Sequence, residues 1–221
     1  MKWITRLAPL GLLFTTACSD VEAPDGCHYH DDELHCDDDN HGLATTVILN
    51  FTPSGGGDTL SFEWNDPEND GNPVVDDILL PDASDHDHHD AQEYTLDVEI
   101  WNELEDPASD VTPDIDEQDH FHQFFFTGSA VRGPAVGNNP DAIIRQAYAD
   151  EDENGLPVGL SNTITTVDWG TGELTVTLRH MPEENGETVK TEGLADAVAD
   201  EGFGGIGGGN DIEVTFNIEV E

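Results

Sequence analysis

Tyr94-Thr95-Leu96-Asp97-Val98-Glu99-Ile100-Trp101 alternates with a period of two, and Asp211-Ile212-Glu213-Val214-Thr215-Phe216-Asn217-Ile218-Glu219-Val220 does the same with acids on its polar positions. Successive side chains of a β-strand point to opposite faces, so each stretch reads as a strand with one buried and one wet face. Strand signals also fall on Thr45–Phe51, Thr59–Trp64, His120–Thr127, Ile143–Ala149, Asn162–Asp168 and Glu173–His180. Gly, Pro, Asn and Asp turns separate them, as in Pro53–Asp58. Trp169-Gly170-Thr171-Gly172 predicts a hairpin turn joining the strands on either side of it. Only Gly193–Asp200 predicts a helix, a short one. The expected fold class is all-β: a single antiparallel β-sandwich over residues 44–221.

The first residues carry a different signal. Met1–Ala17 has Lys2 and Arg6 at its start, an apolar run from Leu7 to Phe14, and small residues before Cys18. That run is too short to span a bilayer, so residues 1–17 read as a cleaved export signal. Thr15-Thr16-Ala17-Cys18 resembles a bacterial lipobox, which implies a lipid on Cys18. Ser19 after the cysteine implies the outer membrane, with the protein facing the periplasm or the cell surface. Residues 18–43 are rich in Asp and His and poor in apolar side chains, and are expected to form a flexible tether.

Charge narrows the partners. The chain has 49 Asp+Glu against 6 Lys+Arg, a formal net charge of −43. Nucleic acid and anionic lipid surfaces are excluded as partners, leaving the lipid anchor as the membrane contact and cations as natural ligands. An acid-rich surface also suits a salty habitat, but that does not account for the 10 histidines.

Those histidines cluster. Cys27-His28-Tyr29-His30-Asp31-Asp32-Glu33-Leu34-His35-Cys36 packs imidazoles, thiols and carboxylates into one short stretch. Such side chains ligate zinc and copper. In an oxidising compartment Cys27 and Cys36 are expected to pair as a disulfide, leaving His28, His30 and His35 to bind metal. Asp85-His86-Asp87-His88-His89-Asp90 offers His86, His88 and His89 in a loop. His120-Phe121-His122 would set two imidazoles side by side on one strand face. Asp150, Asp152 and Asn154 open like a calcium loop but reach Ser161 where the closing acid belongs; Asp66 and Asp70 open another, with Asp77 at its twelfth place, and neither has the flanking helices of an EF-hand. Calcium is therefore a second candidate ion.

Nothing resembles a nucleotide-binding glycine loop or a nucleophile elbow, and Ser129 and Ser161 have no evident base. The expectation is a protein that is not an enzyme. A copper-dependent redox enzyme is the third reading, after the two binding roles given below.

Thr45-Thr46-Val47 to Gly57, His122-Gln123-Phe124-Phe125-Phe126-Thr127-Gly128, Asp152 to Leu160 and Gly172 to Pro182 together resemble a group of bacterial lipoproteins labelled "type 1 periplasmic binding fold superfamily". The resemblance covers roughly residues 44–221 and implies a lipid anchor, a His/Asp-rich tether and functional roles for His122 and His180. The label implies a two-lobed α/β fold, which the strand pattern contradicts. The expected function is zinc or copper binding, with possible delivery to an outer-membrane transporter; the alternative is a calcium-stabilised structural or adhesive surface lipoprotein. Metal affinity is expected to fall in acid, where protonated imidazole no longer ligates.

Overall fold

The computed structural model describes residues 27–30, 33–36, 44–81, 91–182 and 189–221. Its contacts divide the chain into two units, Met1–Asp39 and Asn40–Glu221.

In the first unit, β1 (Cys27–His30) pairs antiparallel with β2 (Glu33–Cys36). Part of the expected tether is thus a hairpin.

The second unit begins with β3 (Thr46–Pro53), β4 (Leu60–Asn65), β5 (Val74–Val75), β6 (Ile78–Leu80), β7 (Glu93–Asn102) and β8 (Ser109–Asp110). Helix α1 (Thr112–Glu117) leads through a 3-10 turn, Asp119–Phe121, into β9 (His122–Thr127). Then follow β10 (Val131–Arg132), β11 (Ile144–Tyr148), β12 (Ser161–Thr166), β13 (Gly170–His180), α2 (Leu194–Glu201) and β14 (Gly209–Val220). One sheet runs β10-β11-β12-β7-β3-β4-β5, with β8 also on β7; the other runs β6-β14-β13-β9.

The mostly-β class expected from the alternation is the class observed. Two details differ. The sheets are mixed, because the short edge pieces β6 and β10 pair parallel with β14 and β11. Trp169–Gly172 is no hairpin turn: Gly170–Gly172 already belong to β13, and β12 and β13 lie in different sheets. Residues 167–169 carry the chain across from one sheet to the other, a step that local turn chemistry does not distinguish from a hairpin.

The alternating residues of both sheets enter one hydrophobic cluster. Val47, Leu49, Phe51, Leu96, Val98 and Ile100 come from the first sheet, and Phe124, Phe126, Val176, Leu178, Val214 and Phe216 from the second. Each such side chain contributes about 1.5–3 kcal/mol on leaving water. A smaller cluster lies on the other face of the second sheet, where Phe125 and Met181 pack with Leu194, Ala195 and Val198 of α2. Among the described residues no helix is long and apolar enough to cross a membrane.

Phe124 is fully buried within the larger cluster. Phe124→Ala is expected to lower the unfolding free energy by about 3–5 kcal/mol. Urea unfolding with an unchanged slope checks this. A loss of under about 1 kcal/mol would show that this ring is not part of a close-packed core.

Candidate metal centre

His122 opens β9 and His180 closes β13, and the two are direct cross-strand partners. Counting back by twos from Phe124 and Leu178 puts both on the face that packs against the first sheet, at its end. His122 is fully buried and His180 nearly so. Their rings stack with centroids 4.8 Å apart and planes 26° apart.

A third group reaches them through a β-bulge. Ile212 stands opposite Leu178, but Asn210 stands opposite Arg179, so Asp211 is the extra residue on β14. Bulges re-aim side chains. Without this one, Asp211 would fall opposite Arg179 on the other face; with it, Asn210 takes that place. The Asp211 Oδ2 lies 3.9 Å from His122 Nε2, and one ligand atom from each of His122, His180 and Asp211 falls within 4.8 Å of the others.

Arg179 holds the bulge. Its Nε donates to the Gly207 carbonyl at 2.7 Å, Nη1 to Asn210 Oδ1 at 2.6 Å, and Nη2 to the Gly208 and Ile206 carbonyls at 2.8 and 3.2 Å. Its guanidinium also sits 5.6 Å from the centroid of Phe203. Gly208 lies so close to β13 that a Cβ there would strike the His180 carbonyl, and its φ of +81° is one that glycine adopts freely.

His122 Nδ1 lies 2.9 Å from the Gln118 carbonyl. A carbonyl only accepts, so Nδ1 carries a proton, and in the neutral ring the lone pair is on Nε2, toward Asp211. A carbonyl on the far ring nitrogen is the usual way a protein orients a ligating imidazole.

His120 does not stand beside His122. It sits in the 3-10 turn, its ring partly exposed and tilted 45° to that of Phe121 with centroids 3.9 Å apart, and its Nδ1 lies 3.7 Å from Asp119 Oδ1. The Phe121 amide bonds back to the Gln118 carbonyl, so the chain is still coiled there and the period of two starts only at His122. His180, implied by resemblance, is in the cluster. Asp211, expected on a wet strand face, was missed; the glycine run before it was the available signal of a bulge.

The proposed calcium residues close their own turns. Asp66 accepts the amides of Asp70 and Gly71, and Asp70 accepts that of Asn72. Asp150 accepts the amides of Gly159 and Ser161; Asp152 accepts those of Asn154 and Leu156. Cys18, His86, His88 and His89 lie outside the described residues. His28, His30, His35, Cys27 and Cys36 lie on the hairpin, where only the backbone is described.

A buried ion pair braces the approach to the site. Lys190 Nζ lies 2.9 Å from Asp152 Oδ2 and donates to the Asp119 carbonyl at 2.8 Å, with neither side chain of the pair exposed. Burial raises the Asp152 carboxyl, but the Leu156 amide, the Lys190 ammonium and the Asn154 amide together outweigh it and hold it below the usual carboxylate value. Burial pulls Lys190 down, opposed by Asp152, Asp119 and Asp150.

No family model, curated protein or solved structure matches this chain. The fold and the donor cluster therefore stand on geometry alone.

Lys190→Met leaves a buried carboxylate without its cation and is expected to cost about 3–5 kcal/mol at neutral pH. Because the folded carboxyl titrates below its unfolded value, that contribution is present above about pH 4 and is lost as pH falls through the lower folded value. Denaturation at neutral and acid pH should show wild type and variant converging in acid; a constant gap would reject this account of the pair.

Proposed function

We propose that this chain is a non-enzymatic transition-metal-binding protein, exported and lipid-anchored at Cys18 in the outer membrane, that holds zinc or copper at His122, His180 and Asp211. One observation carries the reading: a buried imidazole, its Nδ1 fixed by the Gln118 carbonyl, shares a pocket of three donor atoms with a second imidazole and a carboxylate. Two nitrogens and one oxygen suit these borderline ions. Ligands bound at about 2.0–2.2 Å stand closer together than 4.8 Å, so loading would shorten the widest separation by up to about 1.5 Å. Asp211, the most exposed of the three, has the most room to move. Three protein ligands leave a fourth position open, which suits a site that accepts and releases its ion. A handover to an outer-membrane transporter follows from the location and from that open position.

Titration of the full chain with zinc should show one equivalent that disappears in His122→Ala/His180→Ala. Asp211→Asn should weaken the same equivalent about tenfold or more, as loss of ligand-shell groups does elsewhere. An unchanged isotherm in the double variant would reject the site. Stabilisation by calcium but not by zinc would favour the structural lipoprotein instead.

A further inference from the structure

Only Asp76 and Asp77 join β5 to β6, yet β5 ends the first sheet and β6 ends the second. Both sheet edges therefore lie on the same side of the domain. Among the described residues five large apolar side chains are exposed, and three of them, Val74, Val75 and Leu79, fall in this short stretch. An open strand edge that carries apolar side chains is a template for one more strand.

The pairing of β6 fixes which of its groups are open. Ile78 and Leu80 pair in parallel with Ile218 and Val220, and the Glu221 amide donates to the Leu80 carbonyl at 3.2 Å. The N–H and C=O of one strand residue point to the same side, and those of the next residue to the other. Ile78 and Leu80 thus turn their backbone groups to β14. Leu79 turns its own outward, where no strand lies among the described residues. The Leu79 side chain shares the outer face of the sheet with its partner Glu219 and with Thr171 beyond it. Together with Asp77, Glu173 and Asn217 they line a groove of about 380 Å³, in which Asn217 Nδ2 donates to Asp77 Oδ1 at 2.8 Å. Three carboxylates line this groove beside one exposed leucine, and no Lys or Arg lines it.

We propose that this edge is the docking site for an extended basic segment of another protein, which adds to the second sheet beside β6. Its backbone pairs with the outward N–H and C=O of Leu79, the mode in which main-chain bonds hold a peptide on a sheet edge. Its alternate side chains are Lys or Arg on the outer face, with their aliphatic stems along Leu79 and their charged ends toward Asp77 and Glu219. Those between are apolar and lie on the inner side, the side on which Val75 stands opposite Trp64. Charge chooses this occupant over a second copy of the chain. A copy would bring its own Asp76 and Asp77 and a net charge of −43, and like charges set opposite one another across strands are destabilising. Edge aspartates and a proline such as Pro81, directly after β6, are also what a strand carries where pairing with its like is disfavoured. None of this rests on the centre at His122.

The test titrates the full chain, at a physiological salt concentration of about 0.15 M, with a short end-blocked peptide that alternates valine with lysine or arginine. One equivalent should bind. Leu79→Pro removes the outward N–H and the apolar seat at a position where an edge strand tolerates proline, and should weaken binding about tenfold. The same peptide N-methylated on the amides of one edge keeps its charge but cannot pair, and should weaken as much. Asp77→Asn/Glu219→Gln should cost about threefold. Equal binding of the plain and methylated peptides would show diffuse attraction to an acidic chain and overturn the proposal, as would no binding at all. Sedimentation of the chain without peptide should show a monomer; a dimer that Leu79→Pro abolishes would make a second copy the occupant and overturn it too. Should Leu79→Pro fail to fold, the comparison of plain and methylated peptides on the unaltered chain decides.

Discussion

The second half of β13 is buried on both faces, and the far end of the domain is organised around that constraint. Val176 and Leu178 meet it with apolar side chains in the larger core. Arg179 and His180 cannot, because a buried polar group needs partners. Arg179 draws in the carbonyls of residues 206–208 and the Asn210 side chain. That wraps the glycine-rich loop onto the strand end and sets the bulge at Asp211. The donor cluster is thus a consequence of satisfying a buried strand end, and its geometry is held by a guanidinium on the opposite face of the same sheet.

Charge has two roles in this protein. The 49 acids give the chain a net charge of −43, which attracts cations diffusely. A few are placed. Asp66, Asp150 and Asp152 fold their carboxylates onto backbone amides and so fix turns. Of only six basic residues, Arg179 and Lys190 are buried, each bracing a segment beside the histidines. Scarce cations hold the scaffold, while imidazoles would give the proposed site a selectivity for borderline metals that exposed carboxylates lack. The proposed metal role draws on this contrast: a fixed nitrogen donor in a sea of oxygen.

Much of the architecture was legible in the residues. The alternation in Tyr94–Trp101 and Asp211–Val220 marked strands and their buried faces, because a half-buried strand imposes its period of two on any sequence that forms it. The short helix near Leu194 was legible too, from a run of good helix formers between glycines. The 3-10 turn before His122 was not, since His120-Phe121-His122 satisfies the strand period whether or not the chain is coiled there. The turn expected at Trp169–Gly172 failed for a related reason: which sheet each flanking strand joins is set by distant pairing and not by the residues between them.

The sequence by itself determined the mostly-β class, the residues of the core, and a supply of histidines and acids far beyond what solubility requires. Those follow from local periodicity and composition, which every window of the chain carries. Only the tertiary structure decided which donors meet. His122, His180 and Asp211 are far apart in sequence and come together through strand register and a single bulge. Register is fixed by pairing between distant segments, so no reading of one segment alone could supply it.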